Sequence, residues 1–243
     1  MIGEFKMIKV MTIFGTRPEA IKMAPLVKEL KKRKEIECIV CVTAQHREML
    51  DQVLTTFEIV PDYDLNIMHQ GQTLTDITTR AIQGLEDIIK EVKPNIILVH
   101  GDTTTTFAGA LAAFYNQVDI GHVEAGLRTY DKYSPYPEEM NRQMVSCLAD
   151  LHFAPTKLSA NNLLEEGKNK DRIFITGNTA IDAMKTTVSD NYTNEVLDWV
   201  GKDRMILLTA HRRENLGEPM YRIFKAIKKI IDEFDDVKVC LLY

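Results

Sequence analysis

A doubly wound α/β fold is predicted by three features of the sequence. Short apolar runs alternate with longer amphipathic segments from residue 8 onward, the run 95–99 is almost wholly apolar, and most of the unusual polar residues directly follow such runs. An apolar run of that kind suits a parallel strand covered on both faces, and ligands in such sheets gather at the carboxyl ends of the strands. Right-handed crossovers follow from the alternation.

The first strand, Ile8–Phe14, leads into Gly15-Thr16-Arg17-Pro18 and a helix over 19–33, which Pro25 is expected to bend. Gly15 lets the backbone turn sharply, and Pro18 suits a first helical position, where its missing N–H would have had no partner. Unpaired amides at this helix start, beside the cations of Arg17 and Lys22, suit an anion site; an ordinary strand-to-helix turn with a surface Arg accounts for them equally well. A strand over 36–43 ends at Ala44-Gln45-His46-Arg47, and a helix over 48–56 follows. Residues 61–72 read as a loop with an extended piece at 63–67. Over 73–93, Leu74, Ile77, Ala81, Leu85 and Ile88 share one helical face, closed by Pro94.

The strand 95–99 delivers His100-Gly101-Asp102, and a helix is expected over 103–115. The strand Asp119–Val123 then ends at Glu124-Ala125-Gly126-Leu127-Arg128. A loop with Pro135 and Pro137 precedes a helix over 138–149, a strand Leu151–Ala154, a helix over 157–166 and a strand over 172–176. Beyond Gly177 come a helix over 180–187, a polar stretch over 191–201, the strand Arg204–Thr209, the cluster His211-Arg212-Arg213-Glu214-Asn215, a helix over 219–234 and the strand Val237–Leu242. The expected division is a first α/β domain over 1–177 and an incomplete second one over 178–243.

The 243 residues are 45% hydrophobic, enough for a buried core, and Lys plus Arg total 30 against 35 Asp plus Glu, a net charge of −5. No global basic field favours nucleic acid or a membrane surface, so an anionic ligand must be held locally. No stretch approaches a membrane span or a signal-peptide core, and a cytoplasmic protein is expected. Cys38 and Cys41 have C-x-x-C spacing, but positions three apart on a strand face opposite sides and no second ligand pair follows, so buried core thiols rather than a metal site are expected.

The strand ends gather Arg17, Gln45, His46, Asp102, Glu124, Asn178 and His211. Each has a plain structural reading. Asp102 can cap the helix that follows, Glu124 can pair with Arg128, and Glu138 and Glu139 suit a first helical turn. The cap does not account for Gly101, nor for the β-branched Thr103–Thr106 run, which backbone and hydroxyls facing a ligand would explain. Three carboxylates converging on one sheet edge would raise at least one pKa and separate an acid from a base. His211 with Arg212 and Arg213 suits a phosphate, Arg as a planar fork and His as a proton carrier.

Six motifs, Phe14-Gly-Thr-Arg-Pro-Glu-Ala-Ile-Lys22, His100-Gly-Asp-Thr-Thr-Thr-Thr106, His122-Val-Glu-Ala-Gly-Leu-Arg128, Ser134-Pro-Tyr-Pro-Glu-Glu139, Ile175-Thr-Gly-Asn-Thr179 and Thr209-Ala-His-Arg-Arg-Glu214, resemble those of the bacterial non-hydrolysing UDP-N-acetylglucosamine 2-epimerases. The resemblance implies two Rossmann-like domains in the glycosyltransferase-B arrangement with a nucleotide sugar between them. It implies interconversion of UDP-N-acetylglucosamine and UDP-N-acetylmannosamine through a glycal, in the cytoplasm, by a homodimer that supplies cell-surface polysaccharide synthesis, with no cofactor and no metal. By matched motif, Asp102, Glu124 and Glu138 would be the acid–base carboxylates, His211 would assist UDP departure, and Arg17, Lys22 and Arg212 would bind substrate. Gln45 and His46 match a region where relatives bind a second, activating substrate molecule, although Gly71 stands where some carry Arg. Family members continue past residue 243, so a truncated chain with weak or no activity is expected. A glycosyltransferase of the same architecture, a hydrolysing epimerase and a non-catalytic nucleotide-sugar-binding module are the alternatives.

Overall fold

The computed structural model describes residues 7–44, 47–69, 71–210 and 216–242. In the first of two compact units, which runs through Thr187, the elements are β1 (Ile8–Phe14), α1 (Arg17–Lys32), β2 (Ile36–Val42), α2 (Arg47–Thr56), β3 (Tyr63–Asp64), α3 (Leu74–Val92), β4 (Ile96–His100) and α4 (Thr104–Tyr115). They continue with β5 (Asp119–Val123), α5 (Glu138–Leu148), β6 (Leu151–Ala154), α6 (Lys157–Glu165), β7 (Ile173–Ile175) and α7 (Thr179–Thr187). The strands form one seven-stranded parallel sheet in the order β3-β2-β1-β4-β5-β6-β7, the doubly wound α/β architecture expected from the sequence. Its strand order reverses beside β1, so the switch point lies between the carboxyl ends of β1 and β4.

The strand register explains the core. Phe14 pairs with Val42 and Ile13 with Val99, so alternate residues feed two apolar layers. Phe14, Val40 and Val42 pack with α1 and α2 on one face, while Ile13, Cys41, Ile97 and Val99 pack with α3 and α4 on the other. Cys38 and Cys41 are free thiols that join opposite layers, as expected, and burial pushes the Cys41 thiol up to about 12. α1 runs through Pro25 as one continuous helix.

The first unit extends beyond Gly177, because α7 packs on α1 and buries Ala183 in the same apolar layer as Met23 and Val27. The second unit, Val188–Tyr243, holds α8 (Glu195–Val200), β8 (Arg204–Thr209), α9 (Glu218–Glu233) and β9 (Val237–Leu242), with β8 and β9 paired in parallel. No described side chain of α9 is buried, and Trp199, Leu207, Phe224 and Leu241 are exposed. A two-stranded sheet with two helices has too little surface to cover its own apolar faces.

Gly15 is required by close approach, not by a left-handed backbone. A Cβ there would lie 1.9 Å from Thr43 Oγ1 and 2.8 Å from Thr105 Oγ1, hydroxyls that sit 3.0 Å apart across the ends of β2 and α4. Gly15→Ala is expected to lower stability by about 1–3 kcal/mol, read from the urea midpoint, through overpacking and loss of this link. An unchanged midpoint would refute the crowding argument.

Candidate active site

The turn after β1 is built around a carboxylate. Thr16 caps α1 and Glu19 closes a capping box, its Oε2 accepting from the amides of Gly15 at 3.0 Å and Thr16 at 2.7 Å. Glu19 Oε1 accepts from the hydroxyl of Thr103 at 2.7 Å and lies 3.1 Å from that of Thr106, so one buried side chain grips the ends of both β1 and β4. The expectation of unpaired amides at this helix start is therefore corrected in part: Glu19 occupies those of Gly15 and Thr16, Thr16 Oγ1 takes that of Glu19, and Pro18 has none. Arg17 is exposed beside them as the cation available to a ligand.

Three of the four hydroxyls of the Thr run are likewise spent inside the protein. Thr103 caps α4 through the Thr106 amide, Thr105 reaches Thr43, and Thr106 reaches Glu19 and the His100 carbonyl. Because Thr103 takes the cap, Asp102 is not the capping residue its sequence position suggested. Arg142 Nη2 donates to Asp102 Oδ2 at 2.7 Å and Asn141 donates to the Asp102 carbonyl at 2.9 Å, both from α5.

Glu124 follows β5 in the left-handed region, at φ +63°, an uncommon conformation for a residue with a side chain. Its Oε1 accepts from Lys22 Nζ at 2.6 Å, across from α1. The pairing with Arg128 suggested by four-residue spacing does not form, since Arg128 makes a two-pronged pair with Glu166 at 2.6 and 2.8 Å. Burial pushes the Asp102 carboxyl up to about 6; Glu124 and Glu138 add to the rise, while Arg142 and Lys22 oppose it. Two further carboxylates, from the end of β5 and the start of α5, thus bear on Asp102, with two cations among them.

Glu138 opens α5 and lines a cleft of about 290 Å³ with Thr16, Pro18, Thr103, Thr104 and Asn141. The starts of four helices, α1, α3, α4 and α5, bound this space, beside the switch point. Its neighbour Glu139 is wholly buried and belongs to the frame. Burial would raise its pKa, but hydrogen bonds from Gln143 and the amides of Thr129 and Tyr130 hold it below the usual range. Glu139 thereby ties down the loop that leads into α5.

Behind the carboxylates, His100, His122 and His152 lie buried on β4, β5 and β6, and burial pushes them down to about 3, about 3 and about 4. Their unfolded-state value is near 6.5, so below that pH the unfolded chain takes up protons that the folded chain refuses. These groups therefore remove stability as pH falls from about 6.5 towards 3, by up to about 1.4 kcal/mol per pH unit for each histidine. Urea unfolding at pH 7 and pH 5 should give a distinctly lower free energy at pH 5; equal values would contradict it.

Arg17, Lys22, Asp102, Glu124 and Glu138 are thus gathered at the carboxyl edge of β1, β4 and β5. His211, Arg212, Gln45 and His46 lie outside the described residues. Glu19 and Arg142 were not singled out from sequence, although Thr16-x-x-Glu19 spells a capping box and Arg142 stands one helical turn after Glu138.

Residues 28–243 match the model of the UDP-N-acetylglucosamine 2-epimerase family. UDP-N-acetylglucosamine 2-epimerase of Bacillus subtilis (strain 168) is 67% identical over 96% of this chain and 62% of the relative. The S. aureus MnaA–UDP co-structure superposes with a TM-score of 0.89 at 63% identity, covering 97% of this chain and 62% of that one. The Neisseria meningitidis UDP-GlcNAc 2-epimerase structure, bound to UDP-GlcNAc, gives 0.88 at 50% identity, covering 96% and 65%. The chain therefore spans about 62% of the length of the curated relatives it matches.

Proposed function

Because the chain belongs to the UDP-N-acetylglucosamine 2-epimerase family, we propose that its site serves the interconversion of UDP-N-acetylglucosamine and UDP-N-acetylmannosamine by loss and return of UDP. The observation that carries this reading is the Asp102 carboxyl, pushed up to about 6 among Glu124, Glu138, Arg142 and Lys22. A group of that pKa holds and releases a proton near neutral pH, as acid–base work at carbon requires.

In the forward direction a carboxylate takes the C-2 proton while the anomeric C–O bond breaks and its electron pair leaves on the UDP oxygen. The product is a glycal with a C-1 to C-2 double bond. Return of UDP to C-1, with a proton delivered to the opposite face of C-2 by a second carboxyl group, gives the epimer. Inversion therefore uses two of the three carboxylates. Asp102 is one, and Glu124 or Glu138 is the other. Arg17 stands free for the diphosphate, and Lys22 positions Glu124; His211 and Arg212 carry the expected role in UDP departure and return. Gln45 and His46 keep the proposed activating site. The same reading brings with it a cytoplasmic homodimer, supply of cell-surface polysaccharide, and a chemistry that draws on side chains alone.

Incubation of this chain, and of a form extended to the length of its relatives, with UDP-N-acetylglucosamine in heavy water tests the proposal, and no exchange by the longer form would overturn it. Deuterium at C-2 of both epimers is the expected result. Sugar transfer to an acceptor with C-2 hydrogen retained would identify a glycosyltransferase, free N-acetylmannosamine a hydrolysing enzyme, and binding without exchange a non-catalytic module.

A further inference from the structure

His100 is the last residue of β4, adjoining Gly101 and Asp102, and is only 3% exposed. Neither of its ring nitrogens has a hydrogen-bond partner among the described residues. A neutral imidazole carries one donor and one acceptor, and leaving both unmade in the interior is costly, so such a group calls for a reason. Its neighbour His122 is different: Nε2 donates to the Gly101 carbonyl at 2.7 Å.

The facing group is Glu124, whose Oε2 lies 3.8 Å from His100 Nε2 while Oε1 is held by Lys22. A shift of less than about 1 Å brings that gap to hydrogen-bond length. Other groups set the polarity of this meeting. Lys22 approaches from α1, His122 stands on β5, Asp102 follows on the same strand end, and Thr106 of α4 donates to the His100 carbonyl and so fixes its backbone. Gly101, between His100 and Asp102, takes the left-handed backbone, φ +70°, that a side chain would strain.

We infer that His100, as the neutral Nε2–H tautomer, is a positioning residue that donates to Glu124 Oε2, so that Lys22 and His100 together fix both oxygens of this carboxylate for the C-2 proton transfer. In this tautomer Nδ1 carries no proton, and the burial that keeps the ring uncharged makes it a donor without making it an acid. His100 is enclosed and acts through Glu124 rather than on substrate. The inference rests on the proposed epimerase reading for its purpose, but its geometry is testable apart from activity.

The test is nitrogen NMR of the histidine-labelled chain at pH 7.5, with the His100 signals identified by their loss in His100→Gln. The expected spectrum has Nε2 protonated and Nδ1 not, with the Nε2 signal moving in Glu124→Gln and Glu124→Ala. A protonated Nδ1, or an Nε2 signal indifferent to both Glu124 substitutions, overturns the inference. The second arm is the pH profile of C-2 deuterium exchange. His100→Leu should lose about tenfold or more in exchange rate and displace a limb of the profile by about one pH unit, with His100→Asn recovering part of both. A structural role alone would lower the amount of folded protein and leave the profile where it was, which also overturns the inference. If the chain extended to the length of its relatives shows no exchange, the epimerase reading fails by itself, and the NMR arm still decides His100.

Discussion

Asp102→Asn is expected to reduce deuterium incorporation at C-2 by about three orders of magnitude, the range for removing a positioned acid–base group. The same substitution should not cost stability. The Asp102 carboxyl has its pKa raised from 3.8 to about 6 by burial, with Glu124 and Glu138 adding to the rise. Its contribution to stability is therefore fully present below 3.8 and lost as pH rises through about 6. At pH 7 an Asn there carries no such cost. It forfeits the charge of the Arg142 pair but keeps an oxygen for that guanidinium. Activity near zero with an unchanged or raised melting temperature is the expected pairing; substantial exchange by the variant would remove Asp102 from the mechanism. Asp102→Glu should recover little, because the longer arm displaces the carboxyl group by more than the geometry tolerates.

The largest effect on folding is expected at Glu19, which is 2% exposed and serves three donors, the amides of Gly15 and Thr16 and the hydroxyl of Thr103. Glu19→Ala leaves two enclosed amides and the Thr103 hydroxyl without their acceptor and unties the β1 turn from the β4 turn. A loss of about 3–5 kcal/mol follows from removing a buried charged acceptor that others depend on. Equilibrium urea unfolding beside the exposed Glu29→Ala control measures it. Equal midpoints for the two variants would show that the network does not hold the fold. Glu19→Gln should fall between them, since its amide nitrogen meets donors where an acceptor is needed.

The elements of the sheet and their order were legible because their signals are local. The apolar run ending at Val99, the helical face of Leu74 to Ile88 and the Gly-Thr-Arg-Pro turn each announce themselves within a few residues. The boundary after Gly177 was read too early because α7 has a short, weakly patterned sequence, and its packing against α1 brings together segments far apart in the chain. At the site, the strand-end rule put Asp102 and Glu124 at the carboxyl edge of the sheet, where β4 and β5 deliver them, while Glu138 comes from the start of α5. The partners of these residues were another matter. Spacing offered Arg128 to Glu124, but the left-handed backbone at Glu124 turns its side chain towards Lys22, about a hundred positions away in sequence, and Arg128 finds Glu166. Likewise the Thr run hinted at a ligand, and three of its hydroxyls proved to be internal fastenings.

The Glu19 capping box also bears on how the site behaves when empty. Phosphate-binding turns commonly leave amides bare until an anion arrives, and such turns are looser without one. Here the turn carries its own anion, on a covalent tether. Its shape is settled during folding, before any ligand is met, so an anion arriving beside Arg17 would meet a turn already formed and spend less of its binding energy on ordering it.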